Sequence, residues 1–245
     1  DHLEALLPRD GAKVLELGSG TSTAVAGLLK RRGDIGYLGV EPSKKAYDVA
    51  KGDIGSLPNV RLVNDLAYDL KEEGSYDLCF SLSVLEHVKQ LEKFLAESVK
   101  AVKPGGYIVH RYDLGHALTP SSIKERFQVF LGNHFPSVLS EDKFVCYLDP
   151  ERVVSILAKH GAVVERITYH QMPEHKLLFK HLPNTPENIE LERKVSEWEF
   201  DISPSLQNVP KATRERLLKQ VSALNSIPIL QSRPVDSHTL AARNW

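Results

Sequence analysis

A chain of 245 residues, 42% hydrophobic and 26% charged, has material for one large α/β domain, or for one domain plus a cap. With 31 Lys and Arg against 32 Asp and Glu, the net charge is −1 and no basic run exceeds three residues, so no nucleic-acid partner is expected. No apolar stretch approaches the ~20 residues that span a bilayer and no charged-then-apolar leader opens the sequence, so no membrane association is expected; two cysteines, Cys79 and Cys146, make no disulfide framework and fit a reducing cytoplasm.

The first two-thirds of the chain alternates β-branched runs with amphipathic stretches, the pattern of a parallel sheet covered by helices. Lys13–Leu17 reads as a buried strand ending in a glycine turn, and Thr21 and Ser22 as caps for a helix with Val25, Leu28 and Leu29 inward. A second strand, Tyr37–Val40, is closed by Glu41 and Pro42, and Ser43 starts a helix with Ala46 and Val49 inward. Strands follow at Val60–Val63, Asp77–Ser81 and Tyr107–Arg111. Between the last two, Leu91, Phe94, Leu95, Val99 and Val102 keep helical spacing up to the breakers Pro104, Gly105 and Gly106. Asp149 and Pro150 open a helix with Val153, Ile156 and Leu157 inward, and Val163–Thr168 is a sixth strand.

Two segments break the alternation. Residues 113–148 hold an amphipathic piece with Ile123, Phe127, Phe130 and Leu131, and residues 170–235 are proline-rich, with helices expected near 187–199 and 211–224. His238–Ala242 reads as a last strand. The domain organisation expected is a core of residues 1–112, 146–170 and 236–245, with 113–145 and 171–235 as insertions forming a helical cap over a site, since long excursions from a compact domain are usually lids.

Glu16-Leu17-Gly18-Ser19-Gly20-Thr21 follows a strand and opens a helix, where glycines let backbone pass under a ligand and the helix start supplies N–H groups. A dinucleotide fingerprint needs glycine at position 23, which is Thr23 here. Glu16 would repel a pyrophosphate but suits a cation such as the ammonium of a methionine moiety. Glu41 ends the second strand, where an acid accepts ribose hydroxyls, and Asp65 the third, where a carboxylate can accept from an adenine amine.

The segments VLELGSGTS (14–22), GVEPS (39–43), ND (64–65), YDLCFSLSVLEHV (76–88) and VKPGGYIVH (102–110) resemble, in order and at the expected intervals, the motifs of class I (Rossmann-like) S-adenosylmethionine-dependent methyltransferases. CYLDPERVVSILAKHGAVVERI (146–167) is similar to that family's approach to its sixth strand. The resemblance implies a seven-stranded sheet of order 3-2-1-4-5-7-6 with the last strand antiparallel, and S-adenosylmethionine as cofactor. It implies Glu16, Gly18, Ser19 and Gly20 at the methionine end, Glu41 and Pro42 at the ribose, Asp65 at the adenine, and Ser81, Leu82 and Ser83 lining the pocket, with His87 touching cofactor or acceptor. The third glycine of the usual motif is Ser22.

For an acceptor that must lose a proton, the dense polar group past the fifth strand is His110, Asp113 and His116: either histidine as base, with Asp113 orienting its imidazole. The same spacing suits a divalent metal, or a polar loop with no catalytic part. The expected activity is O-methylation of a hydroxylated small molecule, a sugar or secondary metabolite. An NAD-dependent oxidoreductase and a non-catalytic cofactor-binding partner protein are the alternatives.

Overall fold

The computed structural model describes residues 3–68, 70–113, 122–170, 182–207, 210 and 237–244. Its strands are β1 (Lys13–Leu17), β2 (Gly36–Val40), β3 (Val60–Val63), β4 (Tyr76–Leu82), β5 (Val102–Asp113), β6 (Ala162–His170) and β7 (Ser237–Asn244), in the order β3-β2-β1-β4-β5-β7-β6. The pairs β2–β3, β1–β2, β1–β4 and β4–β5 are parallel. The Rossmann-like α/β class and the strand order expected are those observed.

The helices are α1 (Thr23–Arg31), α2 (Lys44–Ile54), α3 (Leu91–Ala101), α4 (Ile123–His134), α5 (Pro150–Lys159) and α6 (Pro186–Gln207). Side-chain caps fix three of their starts: Ser43 accepts from the Ala46 amide, Ser122 from Glu125, and Asp149 from Glu151 with Pro150 in the first turn. α3 stops at Ala101, and the Pro104–Gly106 breakers lie inside β5 beside a register irregularity between Tyr76 and Leu78. α2 is rotated from expectation: its buried residues are Ala50 and Ile54, four apart, and Val49 is exposed. α6 runs beyond position 199 to Gln207, whereas the helix expected at 211–224 lies outside the described residues.

The chain divides into two compact units: Asp1–Arg111 with Asp149–Glu165 and Ala241–Trp245, and Tyr112–Leu148 with Arg166–Leu240. In the first, alternate residues of the central strands point to opposite faces of the sheet. Val14, Tyr37, Leu78, Phe80 and Val109 pack with Val25, Ala26 and Leu29 of α1 on one face. In the second unit, α4 buries Val129 and Gly132, and a Cβ on Gly132 would come within 1.9 Å of the Val145 carbonyl. The face expected to be apolar and inward is outward: Ile123 is 87% and Phe127 61% exposed. Close backbone approach at Gly132 chooses the buried side over hydrophobic spacing.

Candidate functional site

Four strand ends meet around the turn after β1. Gly18 takes φ +74°, and a Cβ there would stand 2.6 Å from Val84 Cγ2, so the turn lies directly against the segment following β4 and admits only glycine. The amides of Gly18 and Ser19 donate to the Val40 carbonyl at 2.8 and 3.0 Å, and that of Gly20 donates to Glu41 Oε2 at 2.8 Å. The turn therefore does not present a row of free N–H groups as the sequence suggested; its first three amides are engaged by β2. That arrangement is poorly suited to a pyrophosphate, which needs those donors.

Glu41 is buried at the end of β2, and its other oxygen accepts from the Ser43 amide at 2.8 Å, so one carboxylate ties the glycine turn to the start of α2. Asn64, beyond β3, donates from Nδ2 to the carbonyls of Glu41 and Pro42 at 2.8 and 3.1 Å and binds the ends of β2 and β3 together. Pro42 and Asp65 are exposed, and Asp65 Oδ1 accepts from the Leu66 amide at 2.7 Å.

Glu16 is only 2% exposed. It stands opposite Gly39 on β2 and Phe80 on β4. Tyr37, two residues before Gly39 and on the same face, donates its hydroxyl to Glu16 Oε2 at 2.5 Å. Burial pushes the Glu16 carboxyl up to about 8, against the lowering by the Tyr37 bond; the charge of Glu41 adds to the rise. Ser22, the residue in place of the third glycine, is in left-handed backbone at φ 56° and makes no side-chain cap for α1. Its hydroxyl lies 3.4 Å from that of Tyr37 instead. Tyr37, and Ser22 as a partner of Tyr37, were not singled out from sequence, and Asn64 entered only within the ND motif; the visible trace of the first was a tyrosine two places before a strand glycine.

Two expected contacts are corrected by strand alternation. Ser81 is one place from Phe80, hence on the opposite face from Glu16, and is fully buried, so it does not line this pocket. Its register neighbour on β5 is His110, also fully buried. His110 Nδ1 lies 2.9 Å from Ser81 Oγ and Nε2 lies 3.2 Å from Ser98 Oγ of α3. Ser98 gives its own proton to the Leu95 carbonyl at 2.7 Å, so it accepts from Nε2–H and Nδ1 accepts from Ser81. Burial drives this imidazole down to about 3. With both nitrogens engaged and no solvent exposure, His110 is a structural link between β4, β5 and α3, and not the base that takes a proton from an acceptor.

Leu82 is half-buried against the α1-side core, and Ser83 is exposed with φ 55°, its amide donating to the Arg111 carbonyl at 2.7 Å. His87 is exposed at the end of a 3₁₀ turn, Leu85–His87, just past Val84. Asp113 ends β5, and His116 lies outside the described residues. Among the described residues no group of three His, Cys, Asp or Glu could hold a metal ion, and no helix is long and apolar enough to cross a membrane.

Residues 15–110 match the family model described as a methyltransferase domain. The chain is 33% identical over 116 residues to the trans-aconitate 2-methyltransferase of Deinococcus radiodurans, spanning 46% of this chain and 43% of that one. It is 32% identical over 108 residues to a ubiquinone biosynthesis O-methyltransferase of Rhizobium etli, 41% of each. The chain thus spans about two-fifths of the length of these curated relatives. The fold is similar to that of Haemonchus contortus phosphoethanolamine N-methyltransferase 2 in complex with S-adenosyl-L-methionine, with TM-score 0.58 and 18% identity over 99% of this chain and 51% of that one.

Proposed function

We propose that this chain, whose residues 15–110 match a methyltransferase domain, is a class I S-adenosylmethionine-dependent methyltransferase that moves a methyl group to a small-molecule acceptor. S-adenosylmethionine is the methyl donor of that family, and here it would supply the electrophilic methyl. The observation that carries the reading is Glu16. A carboxyl buried beneath a glycine turn, paired with no basic side chain among the described residues, is an unfavourable arrangement unless a cation arrives to use it. An ammonium group meets that need and a pyrophosphate does not. Glu41 and Asp65, at the next two strand ends, complete a set of acceptors for a ribose and an adenine amine.

For the acceptor, the favoured chemistry is O-methylation of a hydroxylated molecule such as a sugar or secondary metabolite. The near-neutral charge and the small-molecule chemistry named in the two curated relatives support a small acceptor. With His110 withdrawn into the sheet, His116 oriented by Asp113 is the base that this reading retains. Residues 113–145 and 171–235 are the segments proposed to select the acceptor, because both leave the sheet after its later strands and ligands of open α/β folds sit at strand carboxyl ends. The test is calorimetry with S-adenosylhomocysteine and NAD: saturable binding of the first alone is expected. Binding of NAD with no response to S-adenosylhomocysteine would overturn the reading in favour of an oxidoreductase.

A further inference from the structure

Tyr37 occupies a position that exists only because residue 39 has no side chain. On a strand, residues two apart share a face, so a side chain at 39 would stand between Tyr37 and Glu16, its register neighbour on β1. A Cβ on Gly39 would come 2.8 Å from the Tyr37 hydroxyl and 3.0 Å from Ser19 Oγ. The phenol fills that vacancy and reaches Glu16 Oε2 at 2.5 Å. Having given its proton to Glu16, the Tyr37 oxygen accepts from Ser22, whose left-handed backbone brings its hydroxyl inward at the start of α1. Among the described residues the side chain that bonds Glu16 is Tyr37, through Oε2.

We propose that Tyr37 is a positioning residue of this pocket: across Gly39 it holds the Glu16 carboxyl as the acceptor for the cofactor's ammonium group, so that binding of that group releases one proton from Glu16 to solvent. The inference rests on the reading that this pocket takes S-adenosylmethionine. The balance is simple. The free site carries a neutral Glu16, the bound site a carboxylate facing an ammonium ion, and the proton goes to buffer. The titratable groups bearing on Glu16 are Tyr37 and Glu41, both from β2; β4 contributes Phe80 and the turn contributes Ser19 and Ser22, none of which titrates. Burial first, then Glu41, disfavours the charged form in the empty site, and the Tyr37 bond favours it. Burial and the adjoining Glu16 also raise the Tyr37 phenol well above its ordinary range, so Tyr37 remains a donor throughout.

The test is calorimetry of S-adenosylhomocysteine, which retains the ammonium group, over roughly pH 5.5 to 9 in two buffers of different ionisation enthalpy. Below about pH 8 the wild type is expected to release close to one proton, with affinity rising about tenfold per pH unit and levelling off above it. Tyr37→Phe removes the bond that favours the charged carboxyl, so affinity near neutrality should fall about tenfold or more, with the pH profile displaced to higher pH. Glu16→Gln should bind weakly, release no proton and show a flat profile. Tyr37→Phe that weakens binding but leaves the pH at which affinity levels off where the wild type has it would reduce Tyr37 to packing and overturn the inference. Wild-type binding without proton release would overturn it without any variant, while leaving the cofactor reading intact. Failure of the wild type to bind S-adenosylhomocysteine at all would overturn both.

Discussion

Gly18 and Ser22 both hold left-handed backbone, and they differ in what surrounds them. At Gly18 a side chain meets Val84, so Gly18→Ala combines unfavourable φ with overlap against a packed neighbour. That variant should lose cofactor affinity by tenfold or more and stability by about 1–3 kcal/mol, measured by calorimetry and urea unfolding. At Ser22 the hydroxyl finds Tyr37, which gives the missing third glycine a physical account. His110 makes a separate forecast. Its imidazole is depressed by burial from the usual 6.5 to about 3. The unfolded chain therefore takes up a proton near pH 6.5 that the folded protein refuses until about pH 3. Stability from this group is whole above about pH 6.5 and is lost as pH falls from there toward 3, at up to ~1.4 kcal/mol per unit. In His110→Gln the drop in unfolding free energy between roughly pH 7 and pH 5 should shrink by about 2 kcal/mol. An unchanged drop would show that the ring is not held neutral in the fold.

Among the elements, α4 separates apolar pattern from burial. Its sequence puts Ile123, Phe127 and Phe130 on one stripe, yet these face outward while Val129 and Gly132 are buried, Gly132 against the backbone of Val145. Gln128 and Asn133 reinforce that seating by bonding the Lys143 carbonyl and the Tyr147 amide. Gly132→Ala drives a methyl into the Val145 carbonyl and should cost about 1–3 kcal/mol, whereas Phe127→Ser should stay within about 0.5 kcal/mol. Chemical unfolding of both variants decides the point; a larger cost for Phe127→Ser than for Gly132→Ala would mean that the stripe, not the glycine, is the packed side. Glu41 shows the complementary case of an element end fixed by one polar residue. Glu41→Ala removes acceptors for Gly20 and Ser43 as well as the proposed ribose contact, and should weaken S-adenosylhomocysteine by ~1.5–3 kcal/mol. An unaltered dissociation constant would place the ribose elsewhere.

On the scale of the whole molecule, a ligand that binds only the folded state must raise its stability. S-adenosylhomocysteine at 100 times its dissociation constant should add about 2.7 kcal/mol to unfolding, seen as a higher melting temperature, and NAD should add nothing. The neutral Glu16 proposed for the empty site carries its own pH signature. A carboxyl raised to about 8 stabilises the fold fully below its unfolded value near 4.5, and that contribution is lost as pH rises through 8. Ligand-free protein should thus weaken from acid toward alkaline pH at this group, and bound protein should weaken less.

What the sequence determined by itself is the order of elements and the chemistry at strand ends. Strand and helix periods, glycine turns and caps such as Ser43 and Asp149 are local, and an acid directly after a strand lies at its carboxyl end whatever the rest of the chain does. The resemblance of its motifs to those of the class I methyltransferases implied the strand order that the sheet adopts. What only tertiary structure decided is which face a residue occupies and which distant side chain it meets. A period of two says that Ser81 and Phe80 oppose one another, but not which of them shares a face with Glu16; that follows from the parallel register of β1 with β4. His110 was legible as a histidine close to a strand end, and its confinement between Ser81 and Ser98 was not, since those partners are 29 and 12 residues away. Likewise Tyr37 meets Glu16 across 21 residues of chain, through a space left by Gly39 that exists only once β1 and β2 are paired.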